Sequence, residues 1–77
     1  MIRPSDKNNL KRLGLNIKKL REAKRLSFRE LSYACEIDHS KISKIEKGQI
    51  NITFTTSLQL AKALETTPSE LLLTDFD

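Results

Sequence analysis

The chain has 77 residues, with 14 Lys and Arg against 10 Asp and Glu, one cysteine and one histidine. A chain of this length forms one domain and buries only about 60% of the surface of its unfolded form, so a partner subunit would help its stability. One Cys and one His exclude an intramolecular disulfide and a Cys/His zinc site, and no apolar run approaches the roughly 20 residues of a membrane span. We therefore expect a soluble cytoplasmic protein with no metal, cofactor, small-molecule ligand or membrane partner.

The charges are divided unevenly along the chain. Residues 1–50 hold 13 Lys and Arg against 6 Asp and Glu, a net charge of +7, whereas residues 51–77 hold one against four, a net charge of −3. A basic part of this kind is typical of proteins that bind polyanions such as nucleic acid. The acidic, leucine-rich end would be repelled by DNA and is free for protein contacts.

The first predicted helix follows a polar lead of residues 1–7, which we expect to be flexible because Pro4 discourages a helix before it. Apolar residues at helical spacing predict a helix from about Asn8 or Asn9 to Lys24 or Arg25. Its predicted buried stripe consists of Leu10, Leu13, Ile17, Leu20 and Ala23. Residues 8–77 then form the single domain.

Two short helices joined by a tight turn are predicted within residues 26–48. Ser27 is a good N-cap, and Glu30 follows at the spacing of a capping box. Apolar positions recur at helical spacing to the end of this helix: Phe28, Leu31, Ala34 and Cys35. After a two-residue turn, Asp38 can cap a second helix that ends at Gly48. This arrangement is a helix-turn-helix.

The second of these helices has one polar face. A step of about 100° per residue places Ile42 and Ile45 on the inner side, with Glu46 at its edge. The outer face carries hydroxyls, an imidazole and cations: His39, Ser40, Ser43, Lys44 and Lys47. Lysine can donate to guanine O6 and N7, and hydroxyls can hydrogen bond with any base. In this context the pattern favours nucleic-acid contact over an ordinary solvated helix face.

Two further helices complete an all-α chain of five helices. Thr53 can cap a fourth helix whose inward residues extend to its end: Phe54, Leu58, Ala61 and Leu64. Thr67, Pro68 and Glu70 form a start signal for a short fifth helix that ends near Leu73. No alternating apolar pattern indicates a strand.

The C-terminal leucines indicate association. Leu71, Leu72 and Leu73 point in three directions about 100° apart, so one core cannot bury all of them. A two-fold dimer through helices 4 and 5 would cover the surplus and hold two helix-turn-helix units about 34 Å apart, one turn of DNA. The predicted interface, within residues 54–77, consists of Leu60, Leu71, Leu72, Leu73 and Phe76. The alternative is that the tail collapses onto its own core.

Four segments together resemble the Cro/C1-type, or XRE-type, helix-turn-helix family. They are LGLNIKKLREAKRLS, LSFRELSYACEID, HSKISKIEKG and LQLAKALETTPSELL, and the resemblance spans residues 13–72. It implies a compact five-helix, lambda-repressor-like domain whose third helix enters the major groove of double-stranded DNA, usually as a homodimer on a two-fold symmetric operator. The size of the chain resembles restriction-modification controller proteins and small phage-type repressors.

The resemblance also implies roles for individual residues. Base contacts fall on His39, Ser40, Ser43 and Lys44, in agreement with the polar face. Phosphate contacts, which would fix register and supply salt-dependent affinity, fall on Ser27, Arg29, Lys41, Lys47 and Gln49. Arg21 and Glu46 match a structural ion pair between helix 1 and the recognition helix. Phe28 departs from the family, which commonly has a phosphate-contacting Gln there; either its ring packs over helix 1 or helix 3, or it touches a thymine methyl.

The sequence thus predicts a non-enzymatic transcriptional regulator. The sequence pattern contains no convergent carboxylates, no activated nucleophile and no Gly-rich loop, which are the features that would indicate catalysis. The alternative is an antitoxin or regulatory subunit whose C-terminal leucine-rich surface binds a partner protein, with DNA binding secondary.

Overall fold

The computed structural model describes residues 3–76, so Met1 and Ile2 of the predicted lead, and Asp77, lie outside the described residues. Its five α-helices are α1 Pro4–Ala23, α2 Phe28–Cys35, α3 His39–Glu46, α4 Phe54–Ala63 and α5 Pro68–Leu71. No strand occurs over residues 3–76, and none of the helices described is long and apolar enough to cross a bilayer. The chain is all-α with five helices, as predicted.

The third helix, α3, is held from its inner side. It packs against α1 and α2, while α4 packs against α2 and α5, and α5 also contacts α1. The buried core draws on all five helices and on the turn between α2 and α3: Leu13, Ile17, Leu31, Cys35, Ile37, Ile42, Ile45, Leu60, Leu64 and Leu71. This packing leaves the outer face of α3 to solvent.

The first helix begins at Pro4, so the predicted start at Asn8 or Asn9 is wrong. Proline at the first helical position has a φ suited to the first turn and lacks an N–H that would have no partner within the helix. Asp6 adds a negative charge near the positive end of the helix, and its Oδ2 lies 3.0 Å from Arg3 Nε. Residues 4–7 of the expected lead are therefore part of α1.

The helix-turn-helix begins and ends close to the predicted residues. Ser27 Oγ accepts from the Glu30 N–H at 3.1 Å, and Glu30 Oε1 accepts from the Ser27 N–H at 2.9 Å, which completes the capping box. Glu36 ends α2 in the left-handed region, with φ 58°, and so redirects the chain into α3. Asp38 is the N-cap residue of α3, but its side chain does not cap the helix.

Glycine is required where α1 crosses the end of α3. A Cβ on Gly14 would stand 2.5 Å from the Ile45 carbonyl oxygen and closer still to that of Glu46. Gly48 has φ 71°, and a Cβ there would meet the backbone nitrogen of Lys11 at 2.6 Å. Both glycines let α1 approach the C-terminal end of α3 more closely than a larger residue would allow.

Several side chains differ in burial from the prediction. Leu60 and Leu71 are both 0% exposed and belong to the core, so their assignment to a dimer interface is wrong. The reason is that α4 and α5 pack against each other as well as against α2 and α1, which turns these two leucines inward. Four residues predicted to face inward are instead exposed: Ala23, Ala34, Phe54 and Leu58. The fifth helix ends at Leu71, two residues earlier than predicted.

Candidate nucleic-acid interface

The third helix presents a polar outer face above a buried inner side. Ile42 and Ile45 are 0% and 2% exposed, so they hold the helix against the core. Of the predicted base-contact residues, three are exposed and Ser43 is half-buried: His39, Ser40, Ser43 and Lys44. Three predicted phosphate-contact residues, Lys41, Lys47 and Gln49, are also exposed. None of the predicted contact residues of α3 belongs to the core.

A local network around Asp38 occupies the N-terminal end of this face. The Ser40 hydroxyl donates to Asp38 Oδ2, and His39 Nδ1 lies 3.8 Å from Asp38 Oδ1. The hydrogen bond from Ser40, with smaller contributions from His39 and nearby backbone N–H groups, lowers the pKa of Asp38 below its usual value. Ser40 thus commits its hydroxyl hydrogen to Asp38 and presents acceptor lone pairs to a ligand.

A buried ion pair joins α1 to the last residue of α3. Arg21 Nε donates to Glu46 Oε2 at 2.7 Å, and Arg21 Nη2 donates to Glu46 Oε1 at 3.1 Å. The hydrogen bond with Glu46 raises the pKa of Arg21 although burial acts in the opposite direction. The predicted pair is therefore present, with the bidentate geometry that orients both partners.

Phe28, the first residue of α2, packs over the Arg21 guanidinium. Arg21 Cζ lies 4.3 Å from the centroid of the ring, within the range of a cation–π contact. The ring is half-buried and also packs against the hydrophobic core. Of the two interpretations of Phe28, the structure shows the one in which the ring packs over α1.

Several N–H groups at the N-terminal end of α2 already donate to acceptors within the protein and are not available to a phosphate. The capping box uses the N–H groups of Ser27 and Glu30, and the Leu31 N–H donates to the Ser27 carbonyl oxygen. The N–H groups of Phe28 and Arg29 lie outside the capping box, and the Arg29 side chain is exposed at the same helix end. The main role of Ser27 is therefore to cap α2. Of the two residues, Arg29 is the stronger candidate for a phosphate contact.

A groove beside the C-terminal end of α3 includes two cations that sequence reasoning did not assign to the site. Lys11 and Lys18 of α1 line this groove together with Lys47, and Leu15 and Glu46 complete its walls. All three lysines are exposed, whereas the Glu46 carboxylate is buried in its ion pair. The positive charge of α3 therefore continues onto α1. In the sequence, the i, i+7 spacing of Lys11 and Lys18 indicates that both lie on one face of α1. It does not indicate that α3 packs beside that face.

An apolar surface lies at the C-terminal end of the chain. Three of the predicted dimer-interface residues are exposed there: Leu72 at 50%, Leu73 at 69% and Phe76 at 41%. Leu73 also borders a groove on α1 together with Leu15, which is 58% exposed. These side chains, unlike Leu60 and Leu71, are available to a partner.

The thiol of the single cysteine lies within the core. Cys35 is buried, which raises the pKa of its thiol, so it acts as a small core residue. No group of three potential metal-ligating side chains occurs in the described part of the chain.

The fold and the polar face of α3 define a helix-turn-helix DNA-binding domain. A sequence model of the family described as "Helix-turn-helix domain" matches residues 12–73. The chain belongs to this family, and its resemblance to the Cro/C1 type is confirmed.

Solved structures of regulators have the same fold. The restriction-modification controller protein C.AhdI from Aeromonas hydrophila is 36% identical, with a TM-score of 0.82 over 83% of this chain and 97% of that one. The hypothetical transcription factor NHTF from Neisseria is 29% identical, with a TM-score of 0.79 over 87% of this chain and 78% of that one. The clp gene regulator ClgR from C. glutamicum, 22% identical over 84% of each chain with a TM-score of 0.80, shows the fold alone. No curated protein sequence matches the chain. The match to the helix-turn-helix family and the similarity to C.AhdI indicate a non-enzymatic DNA-binding regulator.

Proposed function

We propose that the chain binds a two-fold symmetric operator as a homodimer, with α3 of each subunit in the major groove. The observation that carries this proposal is the polar outer face of α3, which is held by Ile42 and Ile45 from below and by Glu46 at its end. A helix held in this way, with no large apolar residue on its outer face, suits a groove lined with hydrogen-bond donors and acceptors.

Base and phosphate contacts divide by position around α3. The proposed base contacts are His39, Ser40, Ser43 and Lys44. The proposed phosphate contacts surround them: Ser27, Arg29, Lys41, Lys47 and Gln49. Lys11 and Lys18 extend the phosphate contacts, because they are exposed in the same groove as Lys47. Phosphate contacts of this kind supply affinity and register, whereas base contacts supply sequence preference.

The proposed dimer interface consists of Leu72, Leu73 and Phe76. Their exposed apolar surface would be removed from water when two copies pack together, and this surface lies in the acidic part of the chain, which DNA would repel. The 36% identity to C.AhdI, a restriction-modification controller protein, supports a regulator of that size and type.

A second candidate function depends on the same exposed leucines. They would also suit a different protein as partner, in which case the chain is an antitoxin or regulatory subunit and DNA binding is secondary. The exposure of Leu73, beside a groove that it borders together with Leu15, supports a partner protein at this surface.

The proposal is tested by selecting duplexes from a random pool at near-physiological salt with excess non-specific competitor. We expect an enriched palindrome whose half-sites lie about one helical turn apart, roughly 10 base pairs. Lys44→Ala should relax the preference at one base position, and Lys62→Ala, an exposed lysine of α4, is the control that should leave it unchanged. Failure to enrich a site, together with a stable complex with another protein, would support the second candidate.

A further inference from the structure

Phe28, the first residue of α2, contacts Arg21, which in turn is hydrogen-bonded to Glu46 at the end of α3. We infer that its ring is a positioning residue for the recognition helix and acts through Arg21. The inference rests on the proposed function, because it concerns how α3 is held for DNA binding. It does not require the ring to touch DNA.

The hydrogen bonds of Arg21 restrain its guanidinium group at the edges. Nε and Nη2 donate to Glu46, and Nη1 donates to the Leu26 carbonyl oxygen at 2.7 Å. These donors lie in the guanidinium plane, so they fix the direction of its edges more strongly than its tilt. The Phe28 ring is a further contact of this group, because Arg21 Cζ lies over the ring at 4.3 Å from its centroid. The guanidinium is thus held by different parts of the chain: hydrogen bonds to Glu46 of α3 and to Leu26, and the aromatic ring of α2.

The ring also strengthens the ion pair that it covers. It excludes water from one side of Arg21, which is 9% exposed, and charges attract more strongly where water is excluded. The negative face of the ring attracts the cation directly. Because Glu46 is the last residue of α3, a loosened Arg21 would allow movement of the helix that carries Lys44.

If Phe28 only filled space in the core, its substitution would change stability but not the preference for one duplex over another. The ring also contacts the hydrophobic core, so its removal should lower stability in either case. Phe28→Leu keeps an apolar side chain but removes the aromatic face, whereas Phe28→Tyr keeps that face. Tyr33→Leu is the matched control, because Tyr33 is an aromatic residue of the same helix and is 80% exposed.

The affinities of the wild type and the three variants are measured for the duplex enriched by selection and for a scrambled duplex of equal length. All measurements use one salt concentration and a temperature at which circular dichroism shows each protein to be folded. We expect Phe28→Leu to lower the ratio of the two affinities by about threefold to thirtyfold, the range of cation–π energies. Phe28→Tyr and Tyr33→Leu should keep the ratio. A lowered melting temperature with an unchanged ratio in Phe28→Leu would overturn the inference.

A measurement on the free protein separates this inference from the proposed function. In ¹⁵N NMR spectra, the Arg21 Nε–H should be shifted by the ring and protected from exchange with water in the wild type and Phe28→Tyr. Both properties should be lost in Phe28→Leu. A wild type that binds no duplex would overturn the proposed function and the recognition role with it. A wild type that binds its duplex, with an unchanged Arg21 signal in Phe28→Leu, would overturn the inference alone.

Discussion

Gly14 of α1 lies directly against the carbonyl group of Ile45, near the end of α3, so that a Cβ on Gly14 would stand 2.5 Å from that oxygen. Gly14→Ala therefore has two opposing effects. In an isolated helix it would stabilise by about 1 kcal/mol. Here the new methyl group would overlap backbone that cannot rotate away, and overpacking of this kind costs about 1–3 kcal/mol.

We expect the steric effect to prevail in Gly14→Ala, with lower stability in urea unfolding and weaker DNA binding, because α3 is displaced. Lys19→Ala, at an exposed position of the same helix, is the control and should change stability little. A Gly14→Ala protein more stable than the wild type would show that α1 and α3 can move apart at no cost.

Glu46→Ala should lower stability and DNA binding together. It leaves the buried Arg21 guanidinium without its main acceptor, and removing one partner of a buried pair costs about 3–5 kcal/mol. Since a domain of this size has about 4–12 kcal/mol of stability in total, Glu46→Gln is the milder variant for the DNA measurement. Asp6→Ala removes an exposed ion pair and should have a small effect on melting temperature. Normal stability in Glu46→Ala would contradict the structural role of the pair.

Lys11→Ala and Lys18→Ala should weaken binding to all duplexes alike. Each loses one phosphate contact, so the slope of log K against log salt should become shallower by about 1. The order of preferred sequences should stay the same, because phosphate contacts carry no base information. Lys62→Ala should leave the slope unchanged; an equal change in Lys62→Ala would mean that only net charge matters.

The capping box of α2 should make stability depend on pH in the acid range. Hydrogen bonds from the N–H and the hydroxyl of Ser27 lower the pKa of Glu30 below its usual value of 4.5. The folded state therefore favours the carboxylate, so this stabilisation is present above about pH 4.5 and is lost as the pH falls through the lower folded pKa. The pKa of Asp38 is also lowered, so its ionisation contributes to the pH dependence with the same sign.

Comparison with Glu30→Gln isolates the contribution of the capping box. The difference in urea midpoint between the wild type and Glu30→Gln should shrink between pH 6 and pH 3. Ser27→Ala should cost about 1 kcal/mol at neutral pH, which corresponds to a fall of roughly 4–8 °C in melting temperature. A carboxyl titration of Glu30 by ¹³C NMR with an ordinary pKa would contradict this account.

Leu73→Asp should weaken self-association without unfolding the subunit. Leu73 is 69% exposed, so the change costs the monomer little, but a dimer that covers this residue would bury a charge. Sedimentation equilibrium should show a dimer dissociation constant at least about tenfold larger than that of the wild type. Tyr33→Asp, an exposed position outside residues 54–77, should not affect association. An unchanged dimer in Leu73→Asp would place the interface elsewhere.

Most helix caps were predicted correctly because they depend on neighbours along the chain, but the Asp38 side chain does not cap α3 as predicted. Besides the capping box of α2, Thr53 accepts from the Thr56 N–H and Thr67 from the Glu70 N–H, as capping residues do. The start of α1 is predicted too late because Pro4, which discourages a helix before it, is assigned to the polar lead, whereas it occupies the first helical position.

By itself the sequence determined the all-α class, the helix-turn-helix, the family and the polar face of α3, because helical periodicity and capping are local properties. Only the tertiary structure decided which leucines are core and which are surface, since helical spacing does not tell which helices pack together. The contact of Phe28 with Arg21 and the approach of Lys11 and Lys18 to Lys47 likewise join residues far apart in the chain. Such contacts depend on the angle and separation of the packed helices. All the side chains of the core together determine these two quantities.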